Sequence, residues 1–142
     1  VVAGKATAGI PHAAWVSDIL ELPMVYVRSK AKEHGRGNQI EGKYAAGQKV
    51  VVVEDIVSTG GSSITAVEAL RAAGCDVLGV VCVYTYNLPK AEDAFEAAGV
   101  KYISLTNFDY LIEAANESGT IQEDQIPFLK NWHKDLKDGK LK

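Results

Sequence analysis

The stretch VVVEDIVSTGGSS, residues 51–63, determines how the rest of the sequence is interpreted. An apolar run leads directly into two carboxylates, and these lead into a segment of small hydroxyl and glycine residues. The apolar run is typical of a buried strand, and the residues from Ser62 onwards have the pattern of a helix. A strand, an acidic pair and a glycine-containing turn into a helix together predict the ligand-binding edge of an α/β sheet.

Short β-branched runs alternate with helical patterns along the whole chain of 142 residues. Continuous apolar strands separated by helices predict an α/β fold, an open and mainly parallel sheet with helices on both faces. The ligand crevice of such a sheet lies at the carboxyl ends of its strands. The predicted strands are 1–3, 23–28, 49–54, 77–86 and 101–105, the predicted helices are 10–21, 62–74 and 90–99 with two more helical segments after residue 107, and 29–47 is a long loop with room for a short hairpin.

The composition restricts the kind of protein. A hydrophobic content of 47% and a length of 142 residues fit one globular domain with its own core. The net charge of −3 does not favour a nucleic-acid or membrane surface, and no apolar run is long enough to span a bilayer. Cys75 and Cys82 lie in apolar surroundings and are interpreted as core residues of a reducing compartment, so we expect a cytoplasmic protein.

The residues from Ser58 to Ser62 have the features of a phosphate-binding turn. Glycines allow close backbone approach, and N–H groups at a helix start bind anions. The turn lacks the lysine of a P-loop, and the chain has no GxGxxG fingerprint. Glu54 and Asp55 would repel a neighbouring phosphate but would accept hydrogen bonds from sugar hydroxyls, so a 5-phosphorylated ribose fits the pattern. The alternative is a capped helix beside two solvated acids.

A second informative stretch is cationic. From residue 28 to residue 43 the positive residues are Arg28, Lys30, Lys32, Arg36 and Lys43, against Glu33 and Glu41. Such a segment beside a sugar-phosphate site could close over an anion such as diphosphate. The alternative is an ordinary solvated surface loop.

Both stretches resemble known sequences. VVVEDIVSTGGSS resembles the phosphoribosyl-diphosphate motif of type I phosphoribosyltransferases, in which the acids hold the ribose hydroxyls and the turn holds the 5-phosphate. RSKAKEHGRG followed by IEG resembles the catalytic loop of orotate phosphoribosyltransferase, and AGIPHAAWVSDILELPMVYVR resembles the stretch that precedes this loop in the same family. The resemblance extends from residue 1 to about residue 105.

The resemblance implies an enzyme of pyrimidine (UMP) biosynthesis that transfers the 5-phosphoribosyl group of phosphoribosyl diphosphate to orotate, giving orotidine 5′-monophosphate and diphosphate. It implies that Lys32 and Asp55 are catalytic, that Ser58 also contacts orotate, and that 4–9 is the diphosphate loop. It implies Mg²⁺ held by the substrate without a direct protein ligand, with Asp55 in contact through water. The implied phosphoribosyl-diphosphate contacts are Arg28, Lys32, His34, Glu54, Asp55, Ile56, Val57, Ser58, Thr59, Gly60, Gly61 and Ser62.

The resemblance also implies a homodimer in which segment 28–42 serves the site of the neighbouring subunit. Residues 1–142 correspond to a single core domain without the N-terminal hood of this family, so we expect exposed apolar surface on the sheet and on helix 10–21. The sequence departs from the pattern in three places. Ser29 stands where many relatives have lysine, 84–87 lacks an arginine that some relatives use for orotate, and Lys5 stands where a small residue or proline is expected.

Two other functions share the phosphate-binding pattern. One is a phosphoribosyltransferase for another base, such as adenine or xanthine, against which the KAKEHG segment argues. The other is a regulator that senses phosphoribosyl diphosphate and binds nucleic acid, which should show a basic face or an added DNA-binding domain. His12 and His133 have no identifiable catalytic partner and are interpreted as structural or surface residues.

Overall fold

The computed structural model describes residues 1–30 and 38–141. Six strands form one sheet in the order β3-β2-β1-β4-β5-β6. The strands are β1 Val2–Lys5, β2 Met24–Val27, β3 Ile40–Gly42, β4 Lys49–Val57, β5 Asp76–Thr85 and β6 Tyr102–Asn107. The helices are α1 Gly9–Leu20, α2 Gly61–Ala72, α3 Pro89–Ala97, α4 Phe108–Glu117 and α5 Ile126–Lys137, with a 3-10 turn at Glu123–Gln125.

The predicted α/β architecture is confirmed. Strands β1, β2, β4, β5 and β6 pair in parallel. β3 is antiparallel to β2 and forms the short hairpin for which the long loop had room. The prediction that the central strand ends at residue 54 is wrong, because β4 continues to Val57, which pairs with Thr85 at the end of β5.

The main core lies between the sheet and helices α2 and α3. Alternate residues of the strands face this side, and they pack against the apolar stripe of α2. Its fully buried members include Ala3, Val25, Val27, Val50, Val52, Ala66, Val67, Leu70, Val80 and Phe95. The buried thiols of Cys75 and Cys82 belong to the same cluster, as their sequence context predicted.

The opposite face of the sheet is covered only in part. Helix α1 packs on it through Ala13, which joins Val2 and Val53 in a small second cluster. Beyond α1 the surface is apolar and open, and it includes the exposed side chains of Trp15, Ile19, Leu20, Leu22, Leu78, Ile103 and Leu105. Leu105 is 74% exposed and Ile19 is 78% exposed, so the expected apolar surface is present in this chain. We call these residues the open apolar face.

None of the helices in the described part of the chain combines the length and the apolar character that crossing a bilayer requires.

Candidate functional site

Four parallel strands bring the candidate residues to one edge of the sheet. β1 ends at Lys5, β2 at Val27, β4 at Val57 and β5 at Thr85. Because these strands run in the same direction, the turns that follow them are neighbours at the carboxyl edge. The acids, the Ser-Thr-Gly turn, the 6–8 turn and the start of the cationic segment therefore lie along the same edge of the sheet, where parallel sheets bind their ligands.

The two acids occupy different environments. Glu54 is 4% exposed, and its carboxylate accepts hydrogen bonds from the Ser63 hydroxyl at 3.2 Å and from the Asp55 amide at 3.2 Å. Asp55 is half-buried. Glu54 thus ties the end of β4 to the first turn of α2, and Asp55 is the acid that a ligand can reach. The sequence did not distinguish these two roles.

Burial changes the protonation of Glu54. Loss of water around its carboxyl, together with the adjacent Asp55, raises the pKa of Glu54 from the ordinary 4.5 to about 7, while the positive charge of Lys5 opposes the rise. Near neutral pH the Glu54 carboxyl is therefore only partly ionised. Partial neutralisation of Glu54 reduces its repulsion of a phosphate-containing ligand.

The raised pKa of Glu54 makes stability depend on pH. The folded carboxyl keeps its proton up to about pH 7, whereas the unfolded carboxyl loses it near 4.5, so stability falls as pH rises through this window. Between pH 5 and pH 8 we expect the parent chain to lose about 2 kcal/mol more than the Glu54→Gln variant does. Urea denaturation at both pH values measures this. The exposed Glu68→Gln variant is the control, and a Glu54→Gln variant that follows the parent curve would contradict the prediction.

The Ser-Thr-Gly turn is open towards the crevice. Gly60 has φ 82° and precedes α2, and a Cβ at this position would lie 3.0 Å from the Phe95 ring. No described side chain caps the N-terminus of α2. The residues around the turn, Ser58, Thr59, Gly61 and Ser62, are all exposed. Uncapped N–H groups and exposed hydroxyls at a helix start form an anion site.

Ser63 does not belong to this open turn, although it directly follows Ser62 in the sequence. Its side chain is buried and is committed to Glu54. The signal was available in the sequence, because Ser63 is spaced from Ala66, Val67 and Leu70 as one face of a helix, and those residues lie in the core.

The two apolar residues between the acids and the turn point in opposite directions. Val57 is buried in the core, so only its backbone can touch a ligand, and its carbonyl accepts a hydrogen bond from the Tyr86 amide. Ile56 is 47% exposed at the crevice. An exposed aliphatic side chain next to Asp55 offers an apolar surface for a sugar or a base.

The turn after β1 lies close to β4. The Ala6–Thr7 peptide bond is cis, and Thr7 and Ala8 are exposed. A Cβ on Gly9 would lie 2.5 Å from the carbonyl oxygen of Val53, so only glycine allows α1 to start at this position. The close approach fixes the 6–8 turn beside the acids.

Hydrogen bonds and an ion pair join Arg28, at the start of the cationic segment, to Gln39 and Glu41 near its end. Arg28 donates its amide to the Gln39 carbonyl, and the Gln39 side chain donates to the Arg28 carbonyl. The Arg28 guanidinium lies 3.2 Å from Glu41 in an ion pair. Arg28, a predicted diphosphate contact, is therefore held at the base of the segment. Lys32 and His34 lie outside the described residues.

Aromatic residues lie at the end of β5 and directly after it. Tyr84 and Tyr86 form an edge-to-face pair with ring centroids 5.0 Å apart, and Tyr86 also meets Trp132 of α5. Burial raises the pKa of Tyr84 to about 12, so its phenol stays neutral. His133 is buried, stacks on Phe108 and bonds the Tyr86 carbonyl, which agrees with its interpretation as structural.

This arrangement of strands, acids and anion-binding turn corresponds to a known domain. Residues 1–111 match the model of the phosphoribosyl transferase domain family. The chain is a phosphoribosyltransferase family member. The predicted resemblance at the level of the family and the fold is thereby confirmed.

Curated relatives from several bacteria carry the name orotate phosphoribosyltransferase. The orotate phosphoribosyltransferase of Listeria monocytogenes is 60% identical over 134 residues, which are 94% of this chain and 64% of the relative. The chain thus spans 64% of the length of this curated relative.

Solved structures that are similar to this chain include members of the same family. Orotate phosphoribosyltransferase from Aeropyrum pernix is 33% identical with a TM-score of 0.72, and the match covers 81% of this chain and 64% of that one. The Mycobacterium tuberculosis orotate phosphoribosyltransferase in complex with phosphoribosyl diphosphate is 32% identical with a TM-score of 0.60, covering 76% and 62%.

Proposed function

We propose that this phosphoribosyltransferase uses phosphoribosyl diphosphate and orotate, and forms orotidine 5′-monophosphate and diphosphate. The observation that carries the proposal is the half-buried Asp55 beside an exposed Ser-Thr-Gly turn at the uncapped start of α2. Support for orotate as the base comes from the relatives of that name at 60% identity.

The proposed binding mode gives the ligand one direction along the carboxyl edge. In the proposed mode the 5-phosphate binds the N–H groups and hydroxyls of 58–62, and the ribose hydroxyls bind Asp55. The diphosphate then extends towards the 6–8 turn and the cationic segment. Ser58, exposed at the start of the turn, is the proposed orotate contact.

Chemistry in this mode needs no protein nucleophile. The bond from the anomeric carbon to the diphosphate oxygen breaks with its electron pair on the oxygen, orotate nitrogen bonds to the same carbon, and the proton of that nitrogen passes to a diphosphate oxygen or to water. Positive charge grows on the sugar, where Asp55 stabilises it, and negative charge grows on the diphosphate, where Arg28, Lys32 and His34 are the proposed partners. Closure of the segment over the site would exclude water, which competes with orotate for the activated sugar.

Mg²⁺ is part of the proposal as a substrate-bound ion. Among residues 1–30 and 38–141 no cluster of three or more His, Cys, Asp or Glu side chains could hold a metal ion. Diphosphate oxygens are hard ligands that suit Mg²⁺, and Asp55 fits a contact through water. The ion would neutralise charge on the leaving diphosphate.

The proposal is tested by calorimetry on the chain with phosphoribosyl diphosphate, with and without Mg²⁺, and then with orotate, adenine and xanthine in separate titrations. We expect Mg²⁺-dependent binding of phosphoribosyl diphosphate and a preference for orotate among the bases. Preference for a purine would favour the other-base alternative. Binding of phosphoribosyl diphosphate without any base, together with binding of a DNA duplex, would favour a regulator.

We further propose a cytoplasmic homodimer in which segment 28–42 reaches the site of the neighbouring subunit. Under this arrangement Lys32 neutralises the leaving diphosphate across the interface. Lys32→Ala should therefore lower turnover at least about tenfold without lowering the midpoint of thermal unfolding. Lys101→Ala, at the opposite edge of the sheet, is the matched control.

Mixed dimers distinguish a segment that serves the site of the neighbouring subunit from one that serves the site of its own subunit. Lys32→Ala and Asp55→Asn subunits with different affinity tags are co-expressed, and hybrid dimers are purified through both tags. If the segment works across the interface, each hybrid has one intact site and recovers about half of the parent activity. Purified hybrids that remain as inactive as the two single variants would show that the segment serves its own subunit.

A further inference from the structure

Lys5 is an unusual member of the carboxyl edge. Its side chain is 1% exposed, and it is among the largest fully buried side chains of the described chain. Its ammonium donates to the carbonyl oxygen of Ala6 at 2.7 Å and to the Ser29 hydroxyl at 2.9 Å. Lysine is almost never fully buried without a partner, because an ammonium loses its hydration there. The site must therefore have a use for this charge.

The hydrogen-bond partners of Lys5 are neutral, and the acid whose pKa its charge lowers is the buried Glu54. Both acceptors of its hydrogen bonds are uncharged oxygen atoms, and none of the ion pairs in the described residues includes Lys5. Glu54 lies on the adjacent strand, and its two oxygens accept hydrogen bonds from Ser63 and from the Asp55 amide. A positive charge of this kind favours an anion bound above it.

The two contacts of Lys5 connect separate parts of the edge. Ala6 begins the turn between β1 and α1, and Ser29 follows the end of β2 by two residues. Lys5 is the last residue of β1 and pairs in register with Val27, the last residue of β2, so its side chain reaches Ser29 two residues further along the chain. One ammonium thus holds the 6–8 turn against the start of the cationic segment.

We propose that Lys5 is a positioning residue for the diphosphate end of the ligand. It fixes the Ala6 carbonyl and Ser29, and it supplies positive charge under the 6–8 turn. This inference rests on the proposed function, in which that turn receives the diphosphate. The 5-phosphate binds elsewhere, at 58–62, so the loss of Lys5 should affect the two ends of the ligand unequally.

The test compares two fragments of the ligand on the 142-residue chain. Inorganic diphosphate and ribose 5-phosphate are titrated by calorimetry at one fixed Mg²⁺ concentration, with the parent chain and with Lys5→Met. Methionine has similar length and volume without the charge. We expect diphosphate affinity to fall about tenfold, as for a lost charge-assisted hydrogen bond, and ribose 5-phosphate affinity to change less than about threefold. Equal effects on both fragments, or none on diphosphate, would overturn the inference.

A second variant covers the case in which Lys5→Met does not fold, as judged by thermal unfolding. Ser29→Ala removes one acceptor from an exposed position and keeps the buried charge. It should weaken diphosphate binding about threefold and leave ribose 5-phosphate binding unchanged, and no change in either would count against the role of Lys5. Lys101→Met is the control for loss of a distant charge. If the parent chain binds neither inorganic diphosphate nor ribose 5-phosphate, the result contradicts the proposed function rather than the role of Lys5.

Discussion

Replacing Asp55 with asparagine should lower turnover about a hundredfold or more, whereas replacing Glu54 with glutamine should cost much less. Asp55 is half-buried beside the open turn, and in the proposed binding mode it faces the positive charge that grows on the sugar. Glu54 is buried, and its bonds to Ser63 and the Asp55 amide can be kept by a glutamine side chain. Since burial raises the pKa of Glu54 to about 7, the neutral amide also resembles the protonated form.

Steady-state rates for both variants and the parent, in an assembly with measurable orotidine 5′-monophosphate formation, provide the comparison. Thermal unfolding of each protein shows that the fold is intact. Equal losses of turnover in the two variants would mean that the buried acid is as important to the reaction as the accessible one. A large loss of thermal stability in Asp55→Asn would assign that residue to the fold rather than to the ligand.

Gly9→Ala should lower the free energy of unfolding by about 3 kcal/mol. The new Cβ would lie 2.5 Å from the Val53 carbonyl oxygen, and the obstacle is the backbone of a central strand, which cannot rotate away as a side chain can. The gain in helix propensity from glycine to alanine is at most about 1 kcal/mol and does not offset this clash.

Gly61→Ala is the matched control at the start of the next helix. No heavy atom lies within 4 Å of a Cβ at position 61, so stability should stay the same or rise slightly. The methyl group would occupy the anion side of the turn, and affinity for ribose 5-phosphate should fall. Urea denaturation of both variants measures the first effect and calorimetry the second. A Gly9→Ala protein as stable as the parent would show that α1 can move away from β4 at little cost.

The sequence predicted most of the fold because its strands are apolar runs separated by helices with clear glycine ends. It misjudged β4, since the acids at 54 and 55 interrupt the apolar run but not the pairing with β5, which continues to Thr85. The length of β4 depends on its pairing with β5, and the local sequence pattern of β4 does not show this pairing. The edge strand β3 has only three residues, too few for periodicity to identify.

The candidate site was predicted as a set of residues, and the structure distinguishes their environments. Glutamate and lysine side chains are usually exposed, so the sequence did not indicate that Glu54 and Lys5 are buried. Both depend on where α2 and the 6–8 turn are packed, which is tertiary information. The proposed contacts Lys32 and His34 stay predictions.

The open apolar face has a consequence for how any variant of this chain is measured. A molecule that covers Leu78, Ile103 and Leu105 binds the folded chain and not the unfolded one, so it adds to the apparent free energy of unfolding by mass action. A second copy of the chain, a detergent or a carrier protein would each act in this way. Melting temperatures of this phosphoribosyltransferase are therefore comparable only at one protein concentration and in one buffer, and a dilution series belongs beside every mutant.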